Sequence, residues 1–233
     1  MIIEILYSDA GMLFGDRGNV SYIQRVFPNA TFLFTQYPQK PYFLKESVDM
    51  VIIGAMSESW QLRIIELLTP YQTRIIDLIA DDVFFLVTAN ALDLFGKSIE
   101  DEKGVIHPAL DIFDFSVKVH PMKRLNAQIL GTFNDITMVG FKSQFNEAFG
   151  NNQKHYFINI AQGFGLNQQS VYEGIHFNNF FGTHCIGPIL LLNPPFTKYL
   201  LEKIAKKPVV LPFYQDMLNA YHQRIEEFKS KKQ

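Results

Sequence analysis

The sequence predicts an α/β fold, with a mostly parallel central sheet covered by helices on both faces and a β-rich second half. Three observations predict it. Strand-like apolar runs alternate with helical text over residues 1–96, the pattern of parallel strands joined by crossover helices. One of these runs, residues 83–88 (Val-Phe-Phe-Leu-Val-Thr), suits burial on both faces and leads straight into a turn of small residues. From Gly104 to about Thr183 the text changes to short strands and turn residues with little helical periodicity.

Residues 2–6 read as the first buried strand. The glycine-rich connection Gly11-Met-Leu-Phe-Gly15-Asp16-Arg17-Gly18-Asn19 follows, then a helix over 20–27 that Pro28 ends. Residues 30–35 and 48–53 read as the second and third strands, the third stopping at Gly54. Helical text covers 60–68, and Thr69-Pro70 looks like an N-cap with proline at the first helical position. The next helix carries Ile75, Ile76, Leu78 and Ile79 on its apolar side. Residues 83–88 form the fourth strand, and the turn Ala89-Asn90-Ala91 opens a brief helix that stops at Gly96. Strands are expected over 111–119, 127–131, 136–141 and 170–175. Asn193-Pro194 caps a helix to about Lys206, and Pro212 begins a last amphipathic helix. No linker interrupts the text, so residues 1–233 are expected to form one domain.

Composition excludes several classes of function. Hydrophobic residues make up 48% of the 233, enough for a large core. No segment approaches the about 20 uninterrupted apolar residues of a membrane span. The first residues lack the basic start and long apolar stretch of a signal peptide, so a cytoplasmic location is expected. The net charge of −2 offers no general attraction to nucleic acid or anionic lipid. The basic cluster Lys229, Lys231 and Lys232 reads as a frayed helix end. The single cysteine, Cys185, excludes an internal disulfide and any multi-cysteine metal site. His107, His120, His155, His176 and His222 show no ligand spacing with a carboxylate, so no metal or other cofactor is expected.

Three loops lie where a parallel sheet binds ligands, outside the carboxyl ends of its strands. The first, after residue 6, lacks the spacing and the Gly-Lys-Ser/Thr of a P-loop and reads as a strand-to-helix connection. The second, Gly54-Ala55-Met56-Ser57, ends a buried strand where backbone amides can face a cleft and stabilise an oxyanion. The third, Ala89-Asn90-Ala91, has the small residues a nucleophile elbow needs to close, but no side chain that attacks a carbonyl.

Segments in a fixed order carry a resemblance. They are Gly15-Asp16-Arg17-Gly18-Asn19, Val51-Ile-Ile-Gly54, the elbow ending Leu94-Phe95-Gly96-Lys97, Val139-Gly140-Phe141, Glu173-Gly174-Ile175-His176, and the run from Gly182 to Leu190 (Gly-Thr-His-Cys-Ile-Gly-Pro-Ile-Leu). Together, and to about Ile204, they resemble the class I glutamine amidotransferases of the cobyric acid synthase type. Within that type they are most like the small glutaminase subunit of lipid II isoglutaminyl synthase. The resemblance implies a flavodoxin-like three-layer α/β/α fold. It also implies a cysteine on the elbow and a histidine just before the late Gly-Pro. Counting back from Gly96-Lys97 puts the cysteine at Ala89, and counting back from Gly187-Pro188 puts the histidine at Ile186. The family's oxyanion segment corresponds to Gly54-Ala55-Met56. Its Asn-His-Gly-Gly-Arg-like stretch is replaced by Lys142-Ser143-Gln144-Phe145-Asn146-Glu147, which puts Glu147 at the arginine.

These departures remove the chemistry. Amide hydrolysis through a thioester needs a thiolate and a base to generate it. Alanine has no thiol and isoleucine does not titrate. Cys185 is no replacement, since His184 and Ile186 share a face of an extended segment and Cys185 points away. The expected cleft residues are Gly54, Ala55, Ser57, Ala89, Asn90, Asp93, Glu147, His184 and Ile186.

Two readings follow. In the first, the chain is a degenerate amidotransferase-like protein that binds or regulates. By resemblance its partner is an ATP-dependent ligase of the Mur-ligase type, or it forms a homo-oligomer. In the second, it is an amidotransferase subunit that supports amidation with free ammonia, or through a rearranged site holding His184 and Asp93.

Overall fold

The computed structural model describes residues 1–120 and 122–230. Lys231 and Lys232 of the basic tail lie outside the described residues, and Lys229 pairs with Glu226 at 2.7 Å. The first part of the chain runs β1 (Ile2–Leu6), α1 (Asp16–Val26), β2 (Thr31–Thr35), β3 (Met50–Ile53), α2 (Glu58–Leu68), α3 (Gln72–Ala80) and β4 (Phe84–Thr88). Strands β3 and β4 are buried along their whole length. They show the unbroken apolar text of strands covered on both faces.

The second part contains β5 (Ser98–Glu100), β6 (Ile106–Pro108), β7 (Phe115–Val119), β8 (Leu125–Phe133), β9 (Ile136–Gln144), β10 (Asn146–Gly150), β11 (Ile158–Gln162), β12 (Tyr172–Glu173), β13 (Ile175–Phe177) and β14 (Phe180–Thr183). Three helices end it: α4 (Ile189–Leu192), α5 (Pro194–Ala205) and α6 (Tyr214–Ser230). The β-rich text is therefore real, but its last strand belongs elsewhere. β14 pairs in parallel with β4 and sits inside the main sheet, whose order is β13-β14-β4-β3-β1-β2. Only the edge strand β13 runs antiparallel to its neighbour. The other strands form two four-stranded sheets, β10-β7-β5-β6 and β12-β11-β8-β9.

Alternation along each strand separates two cores. Val51, Ile53, Phe85 and Val87 face α2 and α3, packing with Ile64, Leu68, Ile75 and Leu78. Met50, Ile52, Phe84 and Leu86 face the opposite way, packing with Val20 and Ile23 of α1 and with Phe196, Leu200 and Leu201 of α5. The result is the three-layer α/β/α arrangement with flavodoxin-like strand order. The chain leaves β1 for β2 on one side and returns to β3 on the other. The crevice outside the carboxyl ends of β1 and β3 is thus the switch point where such folds bind ligands.

Two local expectations are corrected. The first helix begins at Asp16 rather than Val20, because Gly15 at φ 91° turns the chain directly into it. Thr69 does not act as an N-cap acceptor; its hydroxyl donates back to Ile65 O at 2.7 Å, and Thr69–Tyr71 is a 3-10 turn between α2 and α3.

Candidate functional site

The fully buried β4 ends with Thr88 in extended geometry, and Ala89 then reverses the chain at φ 53°. A left-handed conformation at a residue with a Cβ is a local cost, held here by its surroundings. The Ala89 N–H donates to Cys185 O at 3.3 Å, which ties the reversal to the segment after β14. A 3-10 turn, Ala89–Phe95, follows. This is the sharp strand-to-helix turn of a nucleophile elbow, and the side chain it carries is a methyl group.

The two neighbouring loops close on this turn. Asp16 accepts the Ala55 N–H at 2.7 Å through Oδ2. Asn90 accepts the Met56 N–H at 3.0 Å and donates to Met56 O at 2.8 Å. Both of these loop amides are therefore already bonded to side chains. Burial pushes the Asp16 carboxyl up to about 6, against the lowering effect of its bonds from Ala55 and Thr88. Asn19 accepts the Leu190 N–H at 3.0 Å, so the glycine-rich first loop also anchors α4.

Asp93, on the turn after the elbow, is a buried hub. Its Oδ1 lies 2.8 Å from His184 Nε2, and its Oδ2 accepts Gln61 Nε2 at 3.0 Å and Asn146 Nδ2. Behind His184, Glu173 Oε1 accepts the His184 N–H at 2.8 Å and lies 3.3 Å from Lys142 Nζ, while Thr183 Oγ1 donates to Glu173 Oε2 at 2.9 Å. Lys142 and Glu173 are both fully buried, so their charges need each other and their hydrogen bonds.

A cavity of about 220 Å³ opens above Asp93. Ala89, Asn90, Gln61, Gln144, Asn146 and His184 line it, with Ile186, Met56, Ser57, Glu58 and Ser143. Leu13, Phe14, Val119, Arg124 and Phe145 complete the wall, and the Arg124 guanidinium lies 4.7 Å above the Phe145 ring.

No family model matches the chain. Over 168 residues it is 30% identical to the lipid II isoglutaminyl synthase (glutamine-hydrolyzing) subunit GatD of Staphylococcus aureus, covering 70% of this chain and 66% of that protein, just under two thirds. The GatD subunit of Streptococcus pneumoniae is 23% identical over 235 residues, covering 93% of this chain and 86% of that one. The chain is thus similar in sequence to two glutamine amidotransferase subunits, and it spans just under two thirds of the first. The fold agrees. A glutamine amidotransferase of Thermotoga maritima superposes with a TM-score of 0.51 at 11% identity, covering 98% of this chain and 93% of that one. A second glutamine amidotransferase gives 0.53 at 13% identity, covering 88% of this chain and 100% of the other.

Ser57, Ala89, Asn90, His184 and Ile186 meet at the cavity, and the other four expected residues do not. Gly54 is covered by the first loop: a Cβ there would lie 2.8 Å from both Asp16 Oδ2 and Met12 Sδ. Ala55 is fully buried under the same loop. Asp93 lies beneath the lining and acts through His184, Gln61 and Asn146. Glu147 is on the far side of β10, because strand neighbours point oppositely and Asn146 takes the cleft side. Its carboxylate accepts the Gln168 N–H at 2.9 Å and lies 3.2 Å from His120 Nε2. Cys185 is packed in the core against Gly140, where a Cβ would come within 2.8 Å of its sulfur. Burial pushes its thiol up to about 12. Sequence reading missed Gln61, Gln144, Asn146 and Arg124 as cleft residues. Gln144 and Asn146 lie within the replaced stretch 142–147, Arg124 precedes Leu125, which pairs with Gln144 across β8 and β9, and Gln61 is a polar residue on the buried side of α2.

No helix among the described residues is long and apolar enough to cross a membrane. Among those residues no group of three or more His, Cys, Asp or Glu side chains is arranged to hold a metal ion.

Proposed function

We propose that the chain is a catalytically degenerate amidotransferase subunit of the GatD type that binds to, or regulates, an ATP-dependent amide ligase of the Mur-ligase type. The observation that carries this reading is Ala89 on the left-handed elbow. An elbow exists to present one nucleophile, and this one presents a methyl group. Three further observations support it. Ile186, at the position the resemblance gives to histidine, lines the same cavity and does not titrate. The Ala55 and Met56 amides are occupied by Asp16 and Asn90. Cys185 is buried away from the cleft, with its thiol pushed up and therefore protonated near neutral pH. The likeness to the GatD subunit of lipid II isoglutaminyl synthase favours an amide placed on a cell-wall precursor by the partner.

The test is glutamate release from glutamine, measured with the chain alone and with a co-encoded ligase. The expected result is none in either case. Any release defeats the reading, and Cys185→Ser then tells whether that thiol carries it. Co-purification with the ligase, or its absence, tests the partner separately.

One observation favours the second reading, a working subunit that uses ammonia or a rearranged site. His184 lines the cavity and is oriented by Asp93 at 2.8 Å, the pairing of a positioned base. That reading predicts ligase-dependent amidation driven by ammonium salts and lost in His184→Gln.

A further inference from the structure

Three side-chain amides of the cavity, Gln61, Gln144 and Asn146, are all turned the same way. Gln61 Nε2 donates to Asn90 O at 2.6 Å and to Asp93 Oδ2 at 3.0 Å. Asn146 Nδ2 donates to the same Asp93 oxygen. Gln144 Nε2 donates to Asn146 O at 2.7 Å. His184 Nε2 faces Asp93 Oδ1 at 2.8 Å. Every partner is a carbonyl or carboxylate oxygen, so the amide orientations are fixed by chemistry: the NH₂ groups are spent and the carbonyl oxygens are left over.

Those leftover groups have no partner. Gln144 is more than nine-tenths buried, and its Oε1 makes no hydrogen bond. The Gln61 and Asn146 carbonyl oxygens accept no hydrogen bond among the described residues. A buried acceptor without a donor is a standing cost that a ligand donor removes. The backbone donors that would balance them are committed to Asp16 and Asn90. The charges lean the same way, with Asp93 beneath the floor, exposed Glu58 in the lining and Arg124, the one Lys or Arg among the described lining residues, laid over Phe145.

We propose that the cavity is a binding site for an ammonium group, carried by the ammonium ion or by a small primary amine. An ammonium group has N–H donors and no acceptor, the complement of this wall. A substrate amide carbonyl would instead set oxygen against oxygen. The proposal deepens the inactive-subunit reading and rests on it, because the two loop amides available to an amide-cleaving site are the ones that Asp16 and Asn90 have closed.

The experiment is titration calorimetry of the intact protein at fixed ionic strength with ammonium, methylammonium, tetramethylammonium, potassium and sodium chlorides and with acetamide. Glutamate release from glutamine is assayed in parallel. Saturable binding of ammonium, with or without methylammonium, is expected. Methylammonium binding assigns the site to small amines, and its exclusion assigns it to the ion. Tetramethylammonium, potassium, sodium and acetamide should not bind. Gln144→Met, which keeps the shape and removes the acceptor, should weaken binding about tenfold or more, and Gln144→Glu should tighten it. No saturable response to ammonium or methylammonium overturns the proposal, as does equal binding of potassium or preferred binding of acetamide. If either variant fails to fold, the wild-type series decides alone. Glutamate release would defeat the inactive reading, and a failed amine titration without it would defeat only this proposal.

Discussion

Asn90 grips both polar groups of Met56, accepting its N–H at 3.0 Å and donating to its carbonyl at 2.8 Å. A single side-chain amide thus replaces what an oxyanion would take from the loop after β3. The elbow and the loop are locked in one arrangement, and the lock is independent of the missing thiol.

Restoring the two side chains alone should therefore give little. Ala89→Cys with Ile186→His supplies a nucleophile and a base, but leaves the Met56 amide bonded. Adding Asn90→Gly should raise the rate of cysteine acylation by a small activated ester about 10²-fold, the worth of one oxyanion donor. The burst of released phenolate measures it. Equal bursts in the double and triple variants would show that the Met56 amide does not matter.

Asp16 gives the fold a pH dependence of defined sign. Its carboxyl stands at about 6 in the folded chain and at about 3.9 when unfolded. The folded state binds the proton more tightly, so this group's contribution is complete below about pH 4 and is lost as pH rises through about 6. The loss is on the order of 3 kcal/mol. Urea unfolding across that window should show stability falling with pH, and Asp16→Asn should remove most of the slope. Glu4, also raised by burial, leaves a remainder of the same sign. An unchanged slope in Asp16→Asn would refute the assignment.

The sheet was legible because its strands are unbroken apolar runs, as at Met50–Ile53 and Phe84–Thr88. β14 was hidden: only four residues long, it returns to the main sheet after two other sheets have been built. At the site, the tight turn at Ala89 could be read from residue size. The use of Asn90 could not, since size says nothing about which backbone its amide meets. The meeting of Asp93 with His184 was anticipated, but the rest of the Asp93 hub was hidden for the same reason. Its partners Gln61, Asn146 and His184 lie 32, 53 and 91 residues away, and only the sheet order brings them together. Glu147 was misplaced by one strand position, enough to send a side chain to the opposite face.

The buried pair behind His184 is the last test, because it separates interaction from mere burial. Lys142 Nζ lies 2.6 Å from Gly165 O and 3.3 Å from Glu173 Oε1, and neither charged side chain reaches solvent. Lys142→Met removes the cation and leaves the Glu173 carboxylate with only Thr183 and the His184 N–H. The expected cost is about 3–5 kcal/mol in denaturant unfolding, mostly the penalty of an uncompensated buried charge. Glu173→Gln added to Lys142→Met removes that charge, so the double variant should regain at least half of the loss. Were the two losses simply to add, the residues would be stabilising β9 and β12 separately, and the geometry between them would carry no coupling.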